Sequence, residues 1–415
     1  MEVSKTLQPS DYGLPYDEFW TGQLESIEAV QALFKEHDVV FLNADTGTGK
    51  TGIGTAISSK FSTSSVLCPT ISLEEQYGSL TGREVGRGRR WHPCYLGNKD
   101  AFKCMQLEEC SPSIPCAYRI HMSHMKGQRM RIMNYAQWLA MNQATDGGWS
   151  TQLVVADEGH GLESHLLSFA DMWEEEQSAV WGSEYHDWVF NHGEKFLIMS
   201  ASMIPSLVAE CMGIQEYGQY EAKNNFEPDR NPVFVKPVGF ITAKRPHTNR
   251  IIKAIDYQLS ISQLNGIVHC SSDRQCIEIL EGTKYPERFI YPKGQTRADS
   301  IRKFKSAGAG SGAVLISAGM YEGQDFPDDE CRWQIICKVP YASLGDARVA
   351  ARRMERPDVY RLEALQKIQQ ACGRGMRNPD DWCTTTILDG TVVSLYEKLG
   401  DRLSSKFRES WRGLV

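Results

Sequence analysis

The sequence predicts an α/β protein made of two successive parallel-sheet units, and three observations predict it. Short apolar runs at 39–42, 65–68, 152–156 and 196–199 alternate with stretches of helical period. That is the pattern of strands buried on both faces of a parallel sheet. A loose stretch, Gln219–Asp229, with Pro228 inside it and Pro232 just after, reads as a connection between domains. Beyond it the alternation resumes, with strand-like runs at 266–270, 313–317, 333–339 and 384–388. A chain of 415 residues has room for two or three domains with ample core.

The bulk numbers exclude several classes. Hydrophobic residues make up 41% and charged residues 23%, an ordinary globular composition. No apolar run approaches the roughly 18 residues of a membrane helix. Met1–Asp11 is polar and mixed in charge, so no secretion signal and a cytoplasmic location are expected. The net charge of −7 does not advertise a nucleic-acid binder, so any such surface must be a local groove of Lys and Arg. Twelve cysteines without a leader point to metal or catalytic use in a reducing compartment.

The first run, Val39–Leu42, leads into Ala44-Asp45-Thr46-Gly47-Thr48-Gly49-Lys50-Thr51, and a helical stretch to Phe61 follows. Strand, glycine-rich loop and helix in that order form a phosphate-binding loop. The loop amides and the helix N-terminus favour a triphosphate. Thr46, Gly47, Thr48 and Gly49 are the cradle, Lys50 reaches the outer phosphates, and the Thr51 hydroxyl binds Mg²⁺. A plain glycine turn before a helix is the bland alternative. Upstream, Gln23 offers a donor and an acceptor to an adenine edge, and Trp20 a stacking surface. A surface cap and a core aromatic are the alternatives there.

The next strand, ending at Cys68-Pro69-Thr70, delivers a helix beginning Ile71-Ser72-Leu73, with Thr70 or Ser72 as its cap or as a backbone contact for a ligand. Then the character changes. Arg83, Arg87, Arg89 and Arg90 precede Cys94, Cys104, Cys110 and Cys116, and Lys126, Arg129 and Arg131 follow. Structural zinc sites use tight cysteine pairs, and none exists here. The wide spacing suits a [4Fe–4S] cluster better than one zinc ion. The flanking basic residues are expected to contact nucleic acid rather than form a merely solvated face.

A strand at 130–135 and a helix at 137–142 come next. Gln152–Ala156 then delivers Asp157-Glu158-Gly159-His160 at a strand's carboxyl end, where doubly wound sheets bind ligands. Asp157 would hold Mg²⁺ and Glu158 would orient and deprotonate water. This strand and the phosphate-loop strand are expected to be neighbours in one sheet. Residues 161–195 read as a helical excursion. The strand after it ends in Ser200 and Ser202, placed to report the nucleotide state. In the second unit, a helix from Tyr360 to Met376 sets Gln370, Gly373, Arg374 and Arg377 on one face. The arginines there fit the role of fingers on a γ-phosphate, against a salt-bridged exposed face as the alternative. Val392–Trp411 is expected to be one amphipathic helix.

Taken together, these segments resemble the iron–sulfur superfamily 2 DNA helicases of the XPD/DinG type, from Gln23 to Asp389. Ala in first place of the phosphate loop is that superfamily's form. Thr70–Gln76 resembles motif Ia, Asp157–His160 the DEAH box, and Ser200-Ala201-Ser202 motif III. Glu322-Gly323-Gln324-Asp325-Phe326 with Lys338–Tyr341 resembles motif V and its following strand, and Gln370–Arg377 motif VI. Cys94, Cys104, Cys110 and Cys116 match the cluster ligands. The chain departs from the family at Trp20, where Arg is usual, at Gly390-Thr391, and in an arch region of about 35 residues at most.

The resemblance implies two tandem RecA-like P-loop domains with a small cysteine-rich iron–sulfur insertion and a reduced helical arch-like insertion. The corresponding boundaries are 1–84, 131–160 and 196–225 for the first domain, 85–130 for the cluster, 161–195 for the arch and 226–415 for the second domain. It further implies an ATP-driven motor moving 5′ to 3′ on single-stranded DNA and acting at duplex–single-strand junctions. ATP, Mg²⁺ and the cluster are its cofactors, and Gly323 and Asp325 join the nucleotide contacts. A monomer in the cytoplasm of a prokaryotic or phage-infected cell is expected. An RNA or nucleoprotein remodeller on the same motor is the enzymatic alternative. A non-catalytic nucleic-acid binder or redox sensor is the alternative of another class.

Overall fold

The computed structural model describes residues 7–45, 48–94, 116–172, 179–223, 227–291, 296–319, 326–376 and 380–415. The chain divides into two compact units, Met1–Lys223 and Asn224–Val415.

In the first unit the strands are β1 (Val39–Asn43), β2 (Ser64–Cys68), β3 (Met130–Asn134), β4 (Thr151–Asp157), β5 (Gly193–Ser200) and β6 (Gly218–Glu221). They form one sheet in the order β3-β2-β4-β5-β1-β6, with every pair parallel. Helices α1 (Gln23–Leu33), α2 (Lys50–Ser58), α3 (Ile71–Thr81), α4 (Ala117–Gly127), α5 (Tyr135–Ala144), α6 (Leu162–Ala170), α7 (His186–Phe190) and α8 (Pro205–Met212) accompany it. All of β1 is buried. Its alternation splits it between two core layers: Phe41 packs with Trp138, Phe169 and Phe196, while Val40 and Leu42 pack with Ile53, Ile57 and Tyr77. Caps start the helices that matter here. Thr70 Oγ1 accepts from Leu73 N ahead of α3, and Asn134 Oδ1 accepts from Gln137 N ahead of α5.

In the second unit β7 (Val233–Gly239), β8 (Gly266–Cys270), β9 (Phe289–Ile290), β10 (Val314–Ala318), β11 (Trp333–Ile336), β12 (Thr384–Asp389) and β13 (Trp411–Leu414) form a parallel sheet in the order β13-β7-β12-β11-β8-β10-β9. Its helices are α9 (Thr248–Ile261), α10 (Asp273–Gly282), α11 (Arg297–Ser306), α12 (Ala347–Glu355), α13 (Pro357–Cys372), α14 (Thr391–Leu399) and α15 (Ser405–Ser410). Two buried clusters, one around Ile251, Val268 and Ile335 and one around Phe304, Phe326 and Leu315, fill the two faces.

Four expectations change. First, β1 and β4 are not neighbours: β5 runs between them, paired with both. Second, part of the stretch read as a domain connection is strand. Gln219–Glu221 lies in β6, laddered on β1 from Val40 opposite Gly218 to Asn43 opposite Glu221. Its alternate residues are exposed at the sheet edge, so it lacks the continuous apolar run of an inner strand.

Third, the helix expected over 392–411 is broken. It stops at Leu399, a 3₁₀ turn follows at Gly400–Arg402, and Ser404 caps α15 by accepting from Phe407 N. Trp411 then stacks on Tyr396 at 4.1 Å between ring centroids, and β13 pairs with β7. Fourth, Gln370 and Arg374 do not share one α-helical face. α13 ends at Cys372, and Gly373–Gly375 tightens into a 3₁₀ turn. A side chain on Gly375 would meet Cys383 Cβ at 2.6 Å, so only glycine lets this turn pack on the sheet. Both Gln370 and Arg374 are buried, so these two, among the described residues of that stripe, do not form an exposed salt-bridged face. Arg377 lies outside the described residues.

Candidate nucleotide site

β1, β5 and β4 finish level with one another: Asn43 lies opposite Ser200, and Met199 opposite Asp157. After Asn43 the chain turns through the glycine-rich loop. Gly49 takes a φ of 76°, and α2 begins at Lys50. The left-handed φ is natural only to glycine, and it aims the first amides of α2 outward, a ready anion cradle. Thr48 Oγ1 donates to Asp45 O at 2.6 Å and closes the turn. Thr46 and Gly47 lie outside the described residues, and Thr51 is half-buried in the first turn of α2. The Lys50 ammonium donates to Ala44 O at 3.1 Å and stands 3.9 Å from Glu158 Oε1.

Gln23 is buried and spends its carboxamide on the protein. Nε2 donates to Gly49 O at 3.1 Å, and Oε1 accepts from Tyr16 Oη and from Trp20 N. A Cβ on Gly49 would lie 2.5 Å from Gln23 Nε2, and one on Gly52 2.4 Å from Tyr16 Oη. These glycines therefore let α1 and the preceding segment close on the loop. Trp20 is 53% exposed beside them.

Asp157 is 1% exposed. Its Oδ2 accepts from Tyr77 Oη at 2.9 Å, its Oδ1 from Glu158 N at 2.8 Å, and its carbonyl from Tyr135 Oη at 2.8 Å. Burial, then the neighbouring Glu158 charge, push its carboxyl up from 3.8 to about 6. Glu158 sits at a φ of 50°, uncommon for a non-glycine residue and a form of strain found at functional sites. Burial would raise its carboxyl too, but the Lys50 ammonium and the His160 contact outweigh that and hold it down at about 2. Ser200 Oγ donates to Glu158 Oε2 at 3.1 Å and lies 2.8 Å from His160 Nδ1. The Ser200 hydroxyl thus joins the end of β5 to the acidic end of β4.

The donor set fits a hard cation: a threonine hydroxyl and a buried carboxylate short of positive charge are oxygen ligands of the kind Mg²⁺ takes. The outward amides and Lys50 fit a polyphosphate.

Of the four cysteines read as cluster ligands, Cys94 and Cys116 are described, and Cys104 and Cys110 lie outside the described residues. The two ends of that segment are tied together. Glu84 takes His121 Nδ1 and His124 Nδ1, both at 2.7 Å, and Arg87 N donates to His121 Nε2. The basic residues expected to meet nucleic acid divide. Arg87 is engaged by Glu74 and Glu75, Arg129 donates to Ser59 O and Phe61 O, and Arg131 is buried against Trp149. Arg131 therefore belongs to the core, where its NH1 satisfies Trp149 O. Arg90 and Lys126 remain exposed.

In the second unit Phe326 N donates to Arg374 O at 3.1 Å, tying motif V to motif VI. The Gln370 carboxamide is buried with no hydrogen-bond partner among the described residues. Gly323 and Asp325 lie outside the described residues. Sequence reasoning missed Tyr16, Tyr77 and Tyr135. Each is bonded to a motif residue from a different element, and no local spacing marks such a contact.

Residues 259–410 match the family described as a helicase C-terminal domain. The "Regulator of telomere elongation helicase 1 homolog" of Caenorhabditis elegans is 29% identical over 145 residues, 30% of this chain and 14% of the relative. The matched stretch thus spans about a seventh of that relative's length. Among solved structures, Xpd4 of S. tokodaii superposes with a TM-score of 0.58 at 12% identity, covering 95% of this chain and 100% of that one. An apo XPD structure gives 0.59 at 14% identity, covering 93% and 99%. At those identities the likeness establishes the fold. Among the described residues no helix is long and apolar enough to cross a membrane.

Proposed function

Because this chain resembles the XPD/DinG-type superfamily 2 helicases in sequence and in fold, we propose that it is an ATP-dependent translocase and helicase on single-stranded DNA, moving 5′ to 3′. The observation that carries the reading is the convergence of Lys50, Asp157, Glu158, Ser200 and His160 on three adjacent strand ends, with Lys50 and Glu158 3.9 Å apart. ATP supplies the transferable phosphoryl group, and Mg²⁺ neutralises charge on it. Thr51 and Asp157 would hold the ion, and the loop from Thr46 to Gly49 would cradle the phosphates. Trp20 would stack on the base beside Gln23.

Glu158 holds its proton poorly, so its first task is to orient water. A phosphate that draws Lys50 away removes the strongest force keeping Glu158 ionised, and the carboxylate becomes a better base as the site fills. Ser200 and His160 carry that change to β5. From the second unit, Gln370, Arg374, Arg377, Gly323 and Asp325 are proposed to complete the nucleotide contacts. The arginines would stabilise the developing charge, an effect worth on the order of 10³–10⁵ in rate in other nucleotidases. Cys94, Cys104, Cys110 and Cys116 are proposed to hold a [4Fe–4S] cluster.

The deciding experiment compares unwinding of 5′-tailed and 3′-tailed DNA duplexes by wild type, Lys50→Ala and Cys104→Ser, with ATPase stimulated by DNA or by RNA. Unwinding of the 5′-tailed duplex, abolished by Lys50→Ala, is expected. Stimulation by RNA alone would replace the DNA motor with an RNA remodeller. ATPase unaffected by Glu158→Gln would remove the motor altogether.

A further inference from the structure

We propose that Tyr77 is the residue that positions Asp157 for its divalent cation, an inference that rests on the motor reading of this site. Tyr77 is fully buried, and its hydroxyl donates to Asp157 Oδ2 at 2.9 Å. It comes from α3, an element that carries none of the nucleotide motifs. The space for that hydroxyl is made by α2. A Cβ on Gly54 would stand 2.7 Å from Tyr77 Oη, so the glycine lets the phenol pass between helix and sheet to the carboxylate. α3 itself is held at both ends of its first turns, by the Thr70 cap and by Arg87 bridging Glu74 at 2.8 Å and Glu75 at 3.0 Å.

The other two bonds to Asp157 come from Glu158 N and Tyr135 Oη, and they fix Oδ1 and the carbonyl. Only Tyr77 fixes Oδ2 among the described contacts. A carboxylate ligand whose free rotation is stopped by a hydrogen bond presents a constant face to its metal. Loss of such a bond elsewhere lowers metal affinity or activity about 10- to 100-fold. Tyr77 touches no substrate in this assignment and acts through Asp157 alone.

The test is Tyr77→Phe, which removes one oxygen and keeps the ring. Mn²⁺ binding in the presence of a non-hydrolysable ATP analogue is followed by electron paramagnetic resonance, alongside ATPase as a function of Mg²⁺ concentration and thermal unfolding. The expected result is Mn²⁺ binding weakened by about 10- to 100-fold, with ATPase recovered at high Mg²⁺. A purely structural hydroxyl would shift the unfolding midpoint and leave the Mg²⁺ dependence where it was, which overturns the proposal. Gly54→Ala presses on the same hydroxyl from α2 and is expected to weaken Mn²⁺ binding in the same direction. Unchanged Mn²⁺ affinity in Tyr77→Phe, or in Gly54→Ala should the first variant not fold, also overturns it. If wild type forms no Mn²⁺–nucleotide complex, the motor reading falls and takes the inference with it. A wild type that binds and a variant that binds equally well overturn the inference alone.

Discussion

Asp157 and Glu158 are adjacent in sequence and opposite in proton affinity. One side chain points into a dry interior and is lifted to about 6, and the other meets Lys50 and falls to about 2. A carboxyl raised in the fold binds its proton more tightly there than when unfolded. Without metal, its contribution to stability is full below about 3.8, its ordinary value, and is lost as pH rises through about 6. Glu158 behaves in the reverse sense: its contribution is present above 4.5 and is lost as pH falls through about 2.

At the proposed cation site a proton and a cation would compete for Asp157. Mn²⁺ affinity is therefore expected to fall by about tenfold for each unit of pH below about 6, with Glu158 still ionised throughout. A Mn²⁺ titration repeated at several pH values between about 5 and 7 checks this, and a flat profile refutes it. At this scale the sequence was most legible where chemistry and chain order coincide. The lysine loop and the acidic pair each announce themselves because a strand end and its next few residues are contiguous. Tyr77 and Tyr135 were illegible because their partners lie 80 and 22 residues away.

Elements were legible in proportion to their burial. Inner strands such as β1 and β4 are continuous apolar runs, and their positions follow from composition. The edge strands β6 and β13 are not: both are short and partly exposed, and only pairing with β1 and β7 defines them, whereas the buried edge strand β3 was legible. The breaks in the last helix and in α13 come from Ser404 capping a new turn and from glycines at 373 and 375, which a period count passes over. The Thr70 cap gives a direct measure of how much local geometry contributes to α3. Thr70→Ala is expected to lower stability by about 1 kcal/mol in chemical denaturation, with the m-value unchanged. The Trp411–Leu414 strand covers the outer edge of β7. Removing residues 411–415 exposes those backbone groups, and concentration-dependent association of the truncated protein by light scattering is the expected outcome.

At the scale of the molecule, each unit has its own two-layered core, which is the condition for independent folding. Residues 1–223 alone are expected to fold and bind ATP, yet to hydrolyse it at least about 10³-fold more slowly than the whole chain, because the arginines proposed for the γ-phosphate are missing. Equal turnover by the fragment would show that the first unit is catalytically complete. The cysteine segment makes a separate forecast: anaerobically purified protein is expected to absorb at roughly 400 nm, and Cys104→Ser to bleach that band, as for a Cys₄ cluster. A colourless protein that carries zinc would contradict it.

The interposed strand β5 has a metric consequence. Two inter-strand spacings of about 4.8 Å each put the lysine-bearing and acid-bearing strands about 9.6 Å apart. Long side chains bridge that gap at the rim, where the Lys50 ammonium and Glu158 Oε1 stand 3.9 Å apart, and the proposed triphosphate and its metal would sit above the three strand ends. The middle strand is thus the gauge block of the site, and its width is set by backbone pairing that no side-chain substitution can narrow.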